Sequence, residues 1–304
     1  MIFTPGNFAR SKMCKQLIIN EMTKTPHLFT GAGNNFVVFD GREGGMDAYR
    51  QPERIQALCR EYHTDGLMIL TEAPGHDFGM EFYNPDGSGG MMCGNGGRCI
   101  VAFADYLGLK PASEDGTWHF LAPDGAHIAT VISSVAEKSL WTVRLKMIDV
   151  KGISKVKDGY FLNTGTRHYV EFRDNVDAID IEPEAKPIRW ADDFQPEGTN
   201  VNFVESTPEG LKVRTFEKGV EGETLACGTG LTASAIAAYH LGIPDQVGDD
   251  RAPVGDDRAR HARPRPGISY RLQCRRGDWL EVEFTPAGDG FKDVFLTGPA
   301  ERLL

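Results

Sequence analysis

The sequence predicts an α+β protein of two pseudo-symmetric domains, each a curved, mostly antiparallel β-sheet or barrel around a central helix. Three observations carry this. The stretches "MMCGNGGRCIVAFADYLG" and "ETLACGTGLTASAIAAY" each place a cysteine before a glycine, then Asn or Thr, another glycine and a helix-like run. Strand-like segments flank both stretches, so the order strands, Cys-Gly turn, helix, strands occurs twice. The chain of 304 residues, 40% hydrophobic and 25% charged, has an ordinary globular composition and is long enough for two modest domains.

The elements follow in order. "PHLFTGAGNNFVVFD" reads as strand, glycine turn, strand, and "PERIQALCREY" has helical spacing with Ile55, Leu58 and Tyr62 on one face. "GLMIL" reads as a buried strand and "FGMEFYNPDGSGG" as a half-buried strand ending in a tight turn at Pro85-Asp86-Gly87. The helix after Cys93 stops at Gly108, with Pro111 beyond it. "HIATVISS" and "LWTVRLKM" are further strands. A second pass then begins: "KDGYFLNTGTRHYVEF", "GTNVNFVES" and "LKVRTFEKG" read as strands, "TGLTASAIAAYHLG" as a helix, and "SYRLQC", "WLEVEF" and "DVFLTGP" as closing strands. The segment "VGDDRAPVGDDRARHARPRPG" repeats VGDDRA, has no apolar face, and is expected as a mobile loop insertion over residues 245–267. Residues 1–22 are expected to be an extension of little structural consequence, with a targeting peptide as the weaker alternative.

Composition excludes several roles. A net charge of −10 leaves no basic face for a nucleic-acid partner, and no apolar run is long enough to span a membrane. Six cysteines at irregular positions form no disulfide framework in a chain of this size. They suggest free thiols in a reducing, cytoplasmic setting. Cys93 and Cys99 lack the companion ligands of a zinc site, so no metal is expected. "GAGNNF" departs from the GxGxxG pattern and no P-loop is present, so no cofactor is expected either.

The two cysteine turns carry the chemistry. Glycines let the chain turn sharply into a helix and leave backbone N–H groups exposed at its start. Those donors and the positive helix end attract a carboxylate and favour a thiolate, so each cysteine is expected below the usual thiol value of about 8.5. Two such turns brought together would grip one carboxylate and set two sulfurs on opposite sides of the adjacent carbon. One thiolate could remove the α-proton while the opposite thiol delivers another, inverting the centre with no cofactor. A single cysteine in a glycine turn is ordinarily just a small buried residue; two matched instances reverse that expectation. Cys99 is expected in the core, and Cys14, Cys59 and Cys274 are expected to be structural.

These residues resemble the diaminopimelate epimerase family. The resemblance runs from about Thr25 to the C-terminus and rests on "GAGNNFVVFD", "DGLMIL", "FYNPDGS" with "CGNGGRC", "NTGTRHYV", "GTNVNFV", "FEKGVEGETLACGTG" and "DVFLTGPA", in that order. It favours the diaminopimelate branch over proline racemases. It implies interconversion of LL- and meso-2,6-diaminopimelate, in lysine and peptidoglycan precursor synthesis, without pyridoxal phosphate. By the family's motifs, Cys93 and Cys227 are the acid/base pair. Gly94, Asn95, Gly228 and Thr229 supply backbone donors to the α-carboxylate, and Asn34, Asn84, Asn200, Glu217 and Lys218 bind substrate as a clamp on its far end. His168 orients or neutralises the site, or is a buried histidine satisfied by a neighbour; both readings stand. The family further implies a small-molecule amino-acid substrate, a homodimer, and a final strand that crosses back to the first. The expected domains are 23–146 plus 298–304 and 147–297, with a boundary near Lys146 and a cleft between them.

Several positions depart from the family pattern. Lys218 stands where Arg is usual, turning a bidentate fork into a point charge. Asn35 stands for Asp, "DGSGGMMC" lacks an acidic residue after the serine, and Thr166 and Arg167 precede His168. Lys218 and Thr166 bear on which substrate the far pocket accepts, with Arg167 as a candidate second cation. Two alternatives follow: a racemase of the same fold acting on another amino acid, and a redox-switch protein using the same cysteine pair.

Overall fold

β2 (Asn34–Asp40), which follows β1 (His27–Gly31), shows how the chain is layered. Phe36 and Val38 face one apolar cluster while Val37 and Phe39 face another. With both faces covered, a strand loses its polar alternation and reads as a continuous apolar run. β3 (Gly66–Thr71) behaves likewise, with Met68 and Leu70 on one side and Leu67 and Ile69 on the other. Outside lies α1 (Pro52–Tyr62), which buries Ile55 and Leu58; inside lies α2 (Gly94–Tyr106), buried on every side from Gly94 to Ala104. These relations come from a computed structural model that describes residues 24–90, 92–134, 139–245 and 267–303. The expected extension at 1–22 and nearly all of the expected loop at 245–267 lie outside the described residues, as does Cys14.

The first half continues through β4 (Phe78–Tyr83), β5 (Thr117–Ala122), β6 (Gly125–Ser134) and β7 (Leu140–Lys146). The second half comprises β8 (Ile153–Val156), β9 (Gly159–Asn163), β10 (Arg167–Phe172), α3 (Ile181–Arg189), β11 (Asn200–Thr207), β12 (Gly210–Glu217) and β13 (Gly222–Thr224). It ends with α4 (Gly228–His240), β14 (Ile268–Gln273), β15 (Trp279–Ala287) and β16 (Gly290–Arg302).

Duplication is written in the pairing senses. From β1 to β7 the neighbours pair antiparallel, parallel, antiparallel, parallel, antiparallel, antiparallel. From β9 through β10, β11, β12, β14 and β15 to β16 the order is the same. A parallel pair needs a crossover, and each of the four crossovers contains a helix. α1 and α3 take the outer crossovers, whereas α2 and α4, the helices behind Cys93 and Cys227, take the inner ones and fill the two barrels.

β16 belongs to both halves. It pairs with β15 as far as Thr297 and with β7 from Gly298, and its end also pairs with β1. That last pairing closes an eight-stranded ring around α2, while β8 to β16 curve around α4.

β5, β8, β13 and α3 were not among the elements expected from sequence. β5 is short, and α3 carries Pro183 and Pro187, which mask the apolar spacing of Ile181, Ala185 and Ile188. Cys99, Cys59 and Cys274 are buried, as expected of packing residues.

Candidate active site

The two Cys-Gly turns meet. Cys93 and Cys227 both have extended backbones and serve as N-caps of α2 and α4. A Cβ placed on Gly94 would lie 3.9 Å from Gly228 Cα, and one on Gly228 would lie 3.7 Å from Gly94 Cα. Both would press on Leu296 Cδ2, at 3.3 and 2.9 Å. The two helix starts thus stand end to end at van der Waals distance, which brings their first-turn N–H groups to one place.

The sulfurs are held differently. Cys93 Sγ accepts a hydrogen bond from the Gly96 N–H at 3.3 Å, and Cys93 is open to solvent. Cys227 is buried, with Sγ 3.4 Å from Thr229 Oγ1. The expected lowering of both thiols is corrected by their surroundings. Although the residue as a whole is open to solvent, burial around its sulfur pushes the Cys93 thiol up, opposed by the Gly96 N–H and the Arg98 charge. Burial pushes Cys227 up to about 12, reinforced by the Glu217 carboxylate. The helix-end field is present, but removal from water outweighs it. Glu217 bears on both sulfurs, and burial raises its own carboxyl.

Behind Cys227 runs a chain of buried polar groups. Asn202 Nδ2 donates to Tyr169 O at 3.1 Å, which fixes the amide orientation, and also reaches His168 Nδ1 at 3.0 Å. His168 Nδ1 therefore accepts, so Nε2 carries the hydrogen and faces Thr166 Oγ1 at 2.9 Å and Thr229 Oγ1 at 3.0 Å. Burial pushes His168 down to about 3, so it is neutral at physiological pH. It is thus both fully buried and one hydroxyl away from Cys227. Thr215 closes the network by donating to Asn202 Oδ1 at 2.9 Å.

A second set of bonds joins the halves. Asn95 Nδ2 donates to Asn34 Oδ1 at 2.6 Å and to Ala226 O, next to Cys227, at 3.3 Å. Arg98 Nη2 holds the other end of the same amide at 2.8 Å. Asn34, expected at the far end of a substrate, thus lies against the Cys93 turn. Asn200 donates to Arg167 O at 2.9 Å and accepts from the Lys218 N–H at 2.7 Å, fixing the start of the Lys218 turn. The Lys218 side chain is exposed. Asn84 caps the turn after β4, donating to Ser88 Oγ at 3.0 Å. Arg167, the candidate second cation, pairs with Glu197 and lies over Phe161.

Sequence reasoning missed Arg98 and Asn202. The signal for Asn202 was available, since Asn200 and Asn202 are two apart on one strand and share a face. Arg98 was visible as a charge directly before the apolar run Cys99 to Ala104. Among the described residues, no three His, Cys, Asp or Glu side chains are grouped to hold a metal ion. No helix among them is long and apolar enough to cross a membrane.

Comparison with known proteins places this geometry. The sequence matches the family model described as diaminopimelate epimerase over residues 28–122 and 160–247. The diaminopimelate epimerase of Flavobacterium psychrophilum is 37% identical over 278 residues, covering 90% of this chain and 95% of that one. The corresponding protein of Chlorobaculum tepidum is 40% identical over 287 residues, covering 90% and 97%. Solved structures share the fold at much lower identity. A PhzF-family phenazine biosynthesis protein from Bacillus anthracis superposes with a TM-score of 0.62 at 12% identity, covering 92% of this chain and 97% of that one. A hydroxyproline epimerase from Agrobacterium vitis, with bound trans-4-OH-L-proline, gives 0.56 at 15% identity, covering 92% and 88%.

Proposed function

This chain belongs to the diaminopimelate epimerase family and is an isomerase; from that premise we propose that it interconverts LL- and meso-2,6-diaminopimelate with Cys93 and Cys227 as its two acid/base groups. The observation that carries the proposal is the meeting of Gly94 and Gly228, which sets two cysteine N-caps and two helix starts around one point. The α-carboxylate of the substrate sits there, receiving backbone N–H groups from the turns Gly94-Asn95 and Gly228-Thr229. One sulfur, as thiolate, takes the α-hydrogen as a proton and becomes a thiol. The electron pair left on carbon spreads into the carboxylate, where the converging N–H groups stabilise it. The other sulfur, as thiol, gives its proton to the opposite face and becomes a thiolate. The centre is inverted and the two sulfurs have exchanged protonation states.

The remaining groups hold the substrate and tune the sulfurs. Asn34, through its bond to Asn95, keeps the Cys93 turn in place, and Asn84, Asn200, Glu217 and Lys218 recognise the rest of the amino acid. His168 acts through Thr229 on Cys227. A homodimer in the cytoplasm completes the reading.

Turnover in deuterated water tests it. LL-diaminopimelate should gain deuterium at one α-carbon as it epimerises, and Cys93→Ser and Cys227→Ser should each lose epimerisation by at least about a hundredfold, the scale of a general acid/base contribution. Near-normal turnover by either variant removes the two-sulfur scheme. Turnover of another free amino acid, with none of diaminopimelate, moves the chain to the racemase alternative suggested by Lys218 and Thr166. Thiol-dependent structural change without any exchange favours the redox alternative.

A further inference from the structure

The two cysteine turns are copies of one design, and the copies differ by one buried charge. Aligned at their N-caps, Cys93 matches Cys227, Gly94 matches Gly228, Asn95 matches Thr229, and Arg98 matches Thr232. Arg98 and Thr232 are both fully buried, and each bonds back to the carbonyl four residues earlier. Arg98 Nη1 reaches Gly94 O at 3.2 Å, and Thr232 Oγ1 reaches Gly228 O at 3.0 Å. Only the first position carries a charge.

That charge has no carboxylate in ion-pair contact among the described residues. The guanidinium donates to Pro299 O at 3.2 Å, to Gly94 O and to Asn95 Oδ1, all uncharged acceptors. A guanidinium keeps its proton even when buried, and a buried cation without an anion is costly. The titratable groups facing it are Cys93 and Cys99 on its own helix and Cys274 and Asp278 from the β14–β15 region. Cys99 and Cys274 are closed in the core, whereas Cys93 is open to solvent and its sulfur already accepts the Gly96 N–H. Asp278 is turned to Arg276 Nε at 3.4 Å. Cys93 is the remaining group whose ionisation answers Arg98. Cys227 faces the opposite influence, because its principal charged neighbour is the Glu217 carboxylate, with the Cys93 sulfur beyond it. Glu217 also acts on Cys93, but there it ranks behind Arg98.

Resting on the two-cysteine reading above, we propose that Arg98 breaks the symmetry of the pair, so that in the free enzyme Cys93 gives up its proton before Cys227 and the single thiolate, once formed, stands at Cys93. The substrate isomer whose α-hydrogen faces Cys93 then reacts with that singly ionised enzyme directly. Its proton moves to Cys93 while the Cys227 proton moves to carbon. The enzyme is left with a thiol at Cys93 and a thiolate at Cys227, and returns to rest by losing the first proton to water and regaining one at the second sulfur. Arg98 touches neither substrate nor sulfur bond; it is a positioning residue acting through its field and through Asn95.

The test is the pH dependence of iodoacetamide alkylation, read at each cysteine by peptide mass. The midpoint of that profile reports ionisation and does not depend on how accessible each sulfur is. In the wild-type protein the Cys93 midpoint should lie below that of Cys227 by about one pH unit or more, within the range an adjacent opposite charge produces. Arg98→Thr, which copies the second turn into the first, should slow Cys93 alkylation about tenfold at neutral pH and leave the Cys227 midpoint in place. Arg98→Lys keeps the charge and should retain most of the wild-type profile. A Cys227 midpoint at or below that of Cys93 overturns the proposal. So does an unchanged Cys93 profile in Arg98→Thr, or an equal shift at both sulfurs. Should Arg98→Thr fail to fold, the two wild-type midpoints decide alone. None of these readouts requires turnover, so they fail independently of the Cys→Ser tests of the reaction.

Discussion

Replacing Gly230 with alanine tests how rigidly the polar network behind Cys227 is held. Gly230 lies in the first turn of α4, and a Cβ there would sit 2.5 Å from Asn202 Oδ1, 3.2 Å from Thr215 Oγ1 and 3.3 Å from His168 Cε1. Asn202 cannot step aside freely, because its amide is bonded to Tyr169 O, His168 Nδ1 and Thr215 Oγ1 in a fully buried setting. Overpacking of this kind costs about 1–3 kcal/mol. Breaking one of the buried hydrogen bonds adds about 1–3 kcal/mol. Alanine's better helix propensity returns about 1 kcal/mol. The net expectation is a loss of about 1–5 kcal/mol, read as the shift in urea midpoint at constant slope. At about 2–4 °C per kcal/mol, a mid-range loss of about 3 kcal/mol lowers the melting temperature by about 6–12 °C. Turnover should fall as well, since the displaced His168 carries Thr229 with it. A Gly230→Ala protein that melts at or above the wild-type temperature would show that the network yields without cost, and the reasoning fails.

Three further outcomes are expected. His168 is held near 3 in the folded chain against 6.5 when unfolded, so the unfolded state takes up a proton first as pH falls and stability drops between those values. His168→Gln should remove up to about 1.4 kcal/mol per pH unit of that slope in urea midpoints, and an unaltered slope would exclude a neutral buried imidazole. Glu217→Gln deletes an anion that raises both thiols, so the alkylation midpoints of Cys93 and Cys227 should both move to lower pH; a rise at either contradicts the charge assignment. Lys218→Ala should raise KM for diaminopimelate and leave kcat nearly unchanged, and a constant KM would take the exposed lysine out of substrate binding.

The duplicated architecture was legible because both copies keep the local chemistry of a helix start, with Cys-Gly turns at 93 and 227. What the residues do not reveal locally is pairing sense, because parallel and antiparallel strands draw on the same apolar residues. β5 buries Trp118, Phe120 and Ala122 in clean alternation, but six residues between turns are a weak signal. α3 hides behind its prolines. At the site, the field of a helix end follows from sequence, whereas the burial that raises Cys227 depends on groups that only the fold brings beside it, Glu217 and Cys93 among them. Arg98 illustrates the same limit. Its presence in "CGNGGRC" is plain, but the want of a carboxylate beside it is a property of the folded neighbourhood.

The shared strand β16 sets the timing of maturation. Glu301 and Arg302 pair with Thr30 and Phe29, and Gly298 to Glu301 pair with β7. On the ribosome the amino-terminal ring therefore lacks its closing stave until residues 298–302 have emerged. Neither barrel is completed ahead of the other, and a nascent chain stopped before Gly298 leaves the helix behind Cys93 without its last wall.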